Sequence, residues 1–468
     1  MVRRFLSLRT RHQPYMVRHS YRHELRSALT FPLAASLAEG SFTGVIAAKN
    51  FHAGVVLMSV ITAAPMFGNI MALLWSDLSM GKRKVPLVNL LQLGVVLVIA
   101  SVALTAYVPL EYAGWIFAAQ IIIARVLASG IITIRSSIWR ANYPRAVRGQ
   151  ITSRIATVAT AVLAASTFTG SFLLDRNPHA FVYLYPSAAL LGAIGIWQFS
   201  GIRVRRESKL RKQEMLYAPG PESMSQTDEA NVLNYEPLSQ RPRFIGLFAD
   251  AFRILREDKQ FRIYQRWQML NGASFMIYGP SLIYMVSREM TDPVRQYLLA
   301  TTILQIIPMV IMLLATQAWA PLFDRVHITT FRVYQGFSSV AAQFTLFAGA
   351  MVGLHVNEST GLAVIAFGQV LVGISNGAGN LAWNLGHNDF APADKAATYM
   401  GVHVMLTGLR GCLAPFFGAW LYLMPGIGRN VFALSALMAL TAQFGFISMS
   451  RSAKRKTREQ ILPAAGSL

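Results

Sequence analysis

Three charged side chains interrupt long apolar runs of the sequence, namely Glu39, Arg125 and Arg410. A charge inside hydrocarbon costs at least about 2.5–3.5 kcal/mol on membrane-insertion scales, so each of the three needs a partner or a water-filled cavity. We expect Glu39 to pair with Arg125, which leaves Arg410 to meet an anionic group of a bound solute. A fixed ion pair, kept because either partner alone would be stranded, is the alternative interpretation of Glu39 and Arg125. Glu39 could also bind and release a proton, so proton coupling is an open hypothesis.

A second set of polar residues follows spacings of three and four along one apolar run: Asn376, Asn380, Trp383, Asn384 and His387. These spacings place the set on one face of a helix. Such a stripe either lines a cavity or joins helices by hydrogen bonds. We expect a cavity lining, and we add His403 of the next apolar run to it, although a packed histidine is the simpler interpretation.

Several other kinds of chemistry find little support in the sequence. Gly373, Gly377 and Gly379 follow no strand, so they indicate close helix packing rather than a nucleotide site. There is no Walker A sequence and no His-Glu-x-x-His motif, and His387-Asn388-Asp389 is the one arrangement that suggests a membrane acyltransferase. Cys412 is the only cysteine, which excludes an intrachain disulfide and a cysteine-based metal site. We expect no enzyme activity, no cofactor and no metal.

The elements that must position these residues are membrane-spanning helices. Of the 468 residues, 54% are hydrophobic and only 14% are charged, with a mean hydropathy of +0.41, whereas soluble domains carry about 25% charged residues. A spanning helix needs roughly 20 mostly apolar residues. The sequence therefore predicts an all-α polytopic protein with about twelve spans: 27–48, 55–76, 85–107, 113–138, 151–174, 180–201, 262–287, 294–317, 329–353, 360–386, 396–421 and 429–450.

The distribution of positive charge orients these spans. The net charge is +22, and 34 of the 43 Lys and Arg residues fall on one side of the predicted spans against 5 on the other. This is the positive-inside rule, which places both termini in the cytoplasm. The charge thus indicates topology and contact with membrane lipids rather than nucleic-acid binding. The short loops, and an N-terminus without a cleavable signal pattern, favour the inner membrane of a bacterial cell.

The predicted spans divide into two sets of six around one long connection. The divisions are a basic cytoplasmic segment 1–26, a bundle 27–201, a cytoplasmic central loop 202–261, a bundle 262–450 and a basic tail 451–468. Within the central loop, Phe244–Leu255 could form a surface helix or merely lead into the seventh span. The halves repeat weakly, and Asn271 stands in span 7 where Glu39 stands in span 1, which makes Asn271 a candidate neutral binding residue.

Two loops and two spans carry a resemblance to a known family. The loop after span 2 contains Asp77, Gly81, Lys82 and Arg83, and the loop after span 8 contains Asp324 and Arg325. Both resemble the cytoplasmic signature of the major facilitator superfamily. Arg125 is similar to the family's intramembrane arginine in span 4, and span 11 has a comparable glycine and proline pattern at Gly408, Gly411, Pro415 and Gly418. The resemblance implies two bundles around a central cavity that opens alternately to each side, and it implies no particular substrate.

The acidic residue of each loop suggests a latch. Asp77 or Asp324 could accept hydrogen bonds from the exposed N–H groups of a neighbouring helix start, where the helix dipole favours anions. Such a contact would hold the cytoplasmic side closed. The alternative is a solvated basic loop that only sets orientation.

These observations lead to a secondary transporter as the expected function. We expect a monomer that carries a small solute, with a slight preference for an anion because two intramembrane arginines face one glutamate. Proton coupling, sodium coupling and uniport remain alternatives. A lipid translocase or scramblase, and a transport-dead sensor on the same fold, are the competing functions.

Overall fold

The computed structural model describes residues 14–216, 252–391 and 396–465, and the regular elements in these ranges are all helices. The predicted all-α fold is therefore confirmed. In chain order the helices are α1 (Tyr15–Ala35), α2 (Ser41–Asn50), α3 (Val55–Leu78), α4 (Lys84–Ser101), α5 (Leu110–Asn142), α6 (Arg145–Arg176), α7 (Phe181–Ser200), α8 (Glu207–Leu216), α9 (Lys259–Tyr284), α10 (Tyr297–Thr301), α11 (Ile307–Phe323), α12 (Ile328–His355), α13 (Glu358–Leu385), α14 (Ala396–Leu423) and α15 (Val431–Ala465).

Twelve crossings account for these helices. Ten helical stretches in the described ranges are long and apolar enough to cross a membrane, and the bent pair formed by α1 and α2 raises the number to eleven. Helix α9 has 26 residues, enough to be the twelfth crossing, and it is less apolar because its buried face carries Gln265, Gln268 and Asn271. The crossings pack as two bundles, α1 to α7 and α9 to α15.

Some boundaries differ from the sequence-based expectations. Helix α1 begins at Tyr15 rather than near residue 27, and α15 continues to Ala465, well beyond residue 450. The central connection contains α8, and the side chain of Asp258 caps the start of α9 by accepting a hydrogen bond from Phe261 N at 2.9 Å. Of the proposed surface helix Phe244–Leu255, residues 252–255 are helical and the rest lies outside the described residues. We call the membrane face that carries α8, the start of α1 and the end of α15 the basic face, and the other the opposite face.

The early start of α1 is explained by Glu24, which is fully buried although it lies in a segment rich in arginine. Its carboxylate accepts hydrogen bonds from Arg135 Nε at 2.6 Å, from Trp139 Nε1 at 2.5 Å and from the Tyr143 hydroxyl. Three donors from one stretch of chain, spaced four residues apart, thus hold the first turns of α1 against α5. The charge of Glu24 is compensated by an arginine, as burial in a low-dielectric interior requires.

Replacement of Glu24 by Gln is expected to lower the free energy of unfolding by about 3–5 kcal/mol, because it breaks a buried ion pair on one side only. The midpoint of thermal unfolding of the purified protein in detergent measures the loss. Glu111→Gln, at the exposed start of α5, is the matched control and should unfold like the wild type. A Glu24→Gln variant that also unfolds like the wild type would show that the cluster does not hold α1.

The glycines of α14 allow close helix packing, both between the two bundles and within the second one. A Cβ at Gly411 would lie 2.0 Å from Met66 Cγ of α3, and one at Gly418 would lie 1.8 Å from the carbonyl oxygen of Ile277 in α9. Only glycine permits approaches of this kind. Beside them, the Ser59 hydroxyl of α3 donates to the carbonyl oxygen of Pro415 at 3.1 Å. Gly411 and Pro415 of the span 11 pattern therefore serve the contact between the halves, whereas Gly418 serves packing within the second bundle.

Candidate functional site

The first crossing is broken in the middle of the bundle. Helix α1 ends in a short 3-10 turn, Ser36–Ala38, and α2 starts at Ser41 after a bend of 48°. Between them Glu39 is extended and Gly40 has φ of +71°, a conformation that favours glycine. A Cβ at Gly40 would also lie 2.5 Å from Gln305 Oε1. The break exposes the N-terminal N–H groups of α2 inside the membrane region.

One of these N–H groups is bound by the other half of the protein. The backbone N–H of Phe42 donates to Gln305 Oε1 at 2.7 Å, and Gln305 Nε2 lies 3.4 Å from the Thr167 hydroxyl of α6. Gln305 belongs to a π-helical turn, Thr302–Ile306, between α10 and α11. Such turns reorient side chains and are frequent at functional sites. Sequence reasoning missed Gln305, and the glycine after Glu39 was the signal that could have pointed to the break.

A cavity of about 390 Å³ lies between the two halves at this level. Both halves contribute polar groups to its wall, among which are Gly40, Ser41, Thr43, Thr62, Arg125, Tyr278, Gln369 and Asn376. The rest of the wall is apolar, with Ile61, Pro65, Phe275, Leu282, Ile283, Leu304, Pro308 and Val372 among its members. A concave, mostly apolar space with a few convergent polar groups is the usual form of a small-molecule site.

Glu39 and Arg125 meet at the edge of this cavity. Arg125 Nη1 lies 3.3 Å from Glu39 Oε2, with 17% of the arginine side chain and 44% of the glutamate side chain exposed. Arg125 Nε is buried without a hydrogen-bond partner in the described residues. The structure thus brings together the two charges that the sequence suggested as a pair, and Arg125, a residue of the cavity wall, keeps an unpartnered N–H donor.

The polar stripe of α13 divides into an exposed part and a buried part. Asn376 lines the cavity, and Asn380 and Asn384 are exposed on the same face, where their side chains hydrogen-bond at 2.9 Å. Trp383 is half-buried, and its ring centroid lies 5.6 Å from that of His403. His387 is buried at the end of the stripe, and burial lowers the pKa of its imidazole.

Four of the proposed site residues do not reach the cavity in this conformation, because neighbouring helices cover them. His387 and His403 are 7% and 2% exposed, so neither lines the cavity as expected. Asn271 is buried between α9 and α12, where Ser339 Oγ lies 3.4 Å from its Oδ1. Arg410 is 7% exposed and donates from Nη1 to the carbonyl oxygen of Gln268 at 2.8 Å. Arg410 therefore faces α9 rather than a solute.

A lysine at the end of α2 closes the opposite face. Lys49 is 3% exposed, and its ammonium donates to the carbonyl oxygens of Ser287 at 2.9 Å, Asp292 at 2.5 Å and Arg295 at 2.8 Å, and to the Thr291 hydroxyl at 3.0 Å. All four acceptors belong to the other half of the protein. Sequence reasoning counted Lys49 only as a charge between spans.

The neighbouring residues complete this closure. Asp175, at the end of α6, accepts hydrogen bonds from the backbone N–H groups of Tyr297 and Leu298, at the start of α10. The Tyr297 hydroxyl donates to Asn50 Oδ1 at 2.9 Å. A carboxylate at a helix N-terminus is favoured by the free N–H groups and by the helix dipole. We call Lys49, Asn50, Asp175 and Tyr297 the opposite-face latch.

On the basic face, the loop after α3 contacts α8 instead of the other half. The N–H of Gly81 donates to Glu214 Oε2 at 2.9 Å, and Lys84 Nζ lies 2.8 Å from the same oxygen. Arg83 lies 3.7 Å from Glu207, while Lys82 is exposed. Gly81, Arg83 and Lys84 of this stretch are thus held by a helix of the central connection.

The acidic residues expected to act as latches are exposed in this conformation. Asp77, Asp324 and Arg325 all lie at the surface of the basic face. The carboxylate that does meet a helix start in the second bundle is Asp389, whose Oδ2 accepts a hydrogen bond from Ile328 N of α12 at 2.7 Å. In this conformation Asp389 therefore takes this position at the start of α12, and the latch roles of Asp77 and Asp324 stay predictions for the state that is closed at the basic face.

Comparison with known proteins fits this geometry. The family model of the Major Facilitator Superfamily matches residues 29–415, and no curated protein matches the sequence. The nucleoside transporter NupG aligns with a TM-score of 0.62 at 14% identity, over 92% of this chain and 98% of that one. A D-xylose-proton symporter gives 0.59 at 13% identity, over 91% and 96%. A POT family transporter in complex with 5-aminolevulinic acid gives 0.63 at 12% identity, over 94% and 97%. At these identities the likeness establishes the fold.

Proposed function

This chain belongs to the Major Facilitator Superfamily, and from that premise we propose that it is a secondary active transporter of a small solute. The observation that carries the proposal is the cavity between the halves, which the opposite-face latch closes on one side. A solute bound between two bundles can be passed from one side to the other when the bundles rock about it. On the basic face the loop residues Asp77, Asp324 and Arg325 are exposed. Their exposure fits a state in which a solute enters the cavity from that face.

The cavity wall supports a solute with an acidic group. Arg125 presents a charged donor, and the start of α2 adds the N–H groups and hydroxyls of Ser41 and Thr43. A helix N-terminus and a guanidinium both favour an anion. Gln369 and Asn376 offer neutral hydrogen bonds from the other half. A carboxylate or phosphate bound by Arg125 would compete with Glu39 for the guanidinium, and that competition is a physical route to coupling.

Proton coupling follows from this competition. Protonation of Glu39 would release Arg125 to the solute, and departure of the solute would restore the ion pair and expel the proton. The side chain of Glu39 is 44% exposed, so a proton can reach it from the cavity. Among the structural neighbours, one is described as a proton symporter. We further propose that the basic face is cytoplasmic and that the protein lies in the cell inner membrane, since positive charge accumulates on that face.

A ligand screen followed by uptake tests this function. Thermal stabilisation of the purified protein by organic acids, amino acids, sugars, nucleosides and drugs should give a hit among compounds with an acidic group. Vesicles containing the protein should then accumulate that compound faster when a pH gradient is imposed, and Glu39→Gln should remove the dependence on the gradient. Uptake that ignores the gradient would exclude proton coupling, and movement of labelled lipid without any solute hit would favour a lipid translocase instead.

A further inference from the structure

We propose that the second bundle holds a buried binding site for a small inorganic anion, separate from the central cavity. The site is formed by Arg332 of α12 and by His403 and Arg410 of α14. These three basic side chains are 2%, 2% and 7% exposed. Sequence reasoning had counted Arg332 among the loop charges of the basic side.

All three basic groups converge on one turn of α9. Arg332 Nε donates to the Tyr264 hydroxyl at 3.2 Å, and His403 Nδ1 lies 3.3 Å from Gln265 Oε1. Arg410 Nη1 donates to the carbonyl oxygen of Gln268. Residues 264 to 268 rise only about 6 Å along a helix, so the three groups share a small volume. The guanidinium groups of Arg332 and Arg410 are close enough to repel each other.

Several polar atoms of this group lack a hydrogen-bond partner among the described residues. Three of them are donors, namely Arg332 Nη2, Arg410 Nε and Gln265 Nε2, all of them buried. His403 Nε2 is buried without a partner too, but it is an acceptor in the neutral ring because Nδ1 donates to Gln265 Oε1. Gln268 Oε1 is also without a partner, and a flip of that amide would present a further N–H donor. Buried donors are nearly always satisfied, so a missing acceptor is indicated at this position.

The charge balance decides what the missing acceptor is. Three other buried or half-buried arginines have carboxylate partners: Arg125 has Glu39, Arg135 has Glu24 and Arg429 has Glu289. In the described part of the chain Glu24 is the only fully buried carboxylate, and it lies in the first bundle. Bound water could satisfy the donors of Arg332 and Arg410, but it would leave two positive charges uncompensated in a low-dielectric interior. An anion satisfies both requirements.

The polar stripe of α13 lies beside this site. The ring of Trp383 packs at a tilt against that of His403, and the exposed Asn380 and Asn384 flank Trp383 on the same helix face. The site is enclosed, so it fits an ion of halide to oxoanion size better than an organic acid. Chloride and phosphate are therefore the probes that we would use.

Thermal unfolding of the full-length protein tests this site without any transport assay. In a gluconate buffer at constant ionic strength, chloride or phosphate should raise the unfolding midpoint saturably, on the order of 5 °C. Arg410→Gln should lose this response and should unfold no lower than the wild type in gluconate, because it removes an uncompensated charge. Arg429→Gln, which alters an arginine of the same bundle that is paired with Glu289, should keep the response.

Three outcomes would overturn the proposal. The first is a wild-type unfolding midpoint that neither chloride nor phosphate raises. The second is a midpoint that added gluconate raises by the same amount. The third is an Arg410→Gln variant whose midpoint still shows the full shift. If Arg410→Gln fails to fold, anomalous scattering from bromide-soaked crystals of the wild type decides the matter. Density between Arg332, His403 and Arg410 supports the site, and its absence there excludes it. Since binding is read directly, failure here would leave the proposed transport function untouched.

Discussion

Replacement of Arg125 by Gln is expected to reduce solute binding and uptake by roughly 10- to 100-fold. A hydrogen bond to a charged group contributes about 1.5–3 kcal/mol, which corresponds to that range of affinity. The variant also leaves Glu39 without its cationic partner inside the protein. The measurements are the dissociation constant of the hit from the ligand screen and the initial rate of uptake into vesicles.

The double variant Glu39→Gln with Arg125→Gln separates binding from folding. It removes both charges, so its unfolding midpoint should recover toward that of the wild type while uptake stays lost. Arg140→Gln, which changes an exposed arginine of the same helix, is the control and should transport normally. If Arg125→Gln transports at the wild-type rate, the pair is only a structural ion pair and the solute site lies elsewhere.

Replacement of Lys49 by Met is expected to shift the protein away from the state that is closed at the opposite face. The three N–H donors of the Lys49 ammonium are shared among four acceptors of the other half, and all four lose a charged donor in the variant. A loss of about 3 kcal/mol in the closed state alone would change the ratio of the two states by roughly 100-fold. Uptake should fall with it, because alternating access needs both states to be populated.

Spin-label distances across the opposite face measure this shift. Labels at Tyr107 and Val356 sit at exposed positions in the two halves, in a background that carries Cys412→Ala. Lys49→Met should enlarge the population at longer distance. Lys82→Met, which removes an exposed lysine from the basic face, should leave the distribution unchanged. An unchanged distribution in Lys49→Met would show that Lys49 does not hold the closed state.

The sequence by itself determined the class of the protein and its approximate number of crossings, and it supplied the proposal for their orientation. The reason is that the bilayer acts on each segment separately: a crossing needs about 20 apolar residues, and the Lys and Arg bias of the loops sets the direction. The cost of a charge in hydrocarbon likewise singled out Glu39 and Arg125, since each is visible as an exception within its own apolar run.

The partners of the buried charges were decided by tertiary structure alone. Arg332 and Lys49 are buried, but both lie near the ends of predicted spans. At such positions the sequence does not distinguish a buried charge from a solvated one. Gln305 accepts a hydrogen bond from Phe42, which lies 263 positions away in the chain. The orientation of Gln305 depends on a π-helical turn that no local sequence pattern predicts. Arg410 looked like a solute contact because of its depth in the membrane, whereas its direction depends on how α14 packs against α9. The depth of a residue in the membrane can be read from its own segment. The direction of its side chain depends on how at least two helices pack, so only the fold determines it.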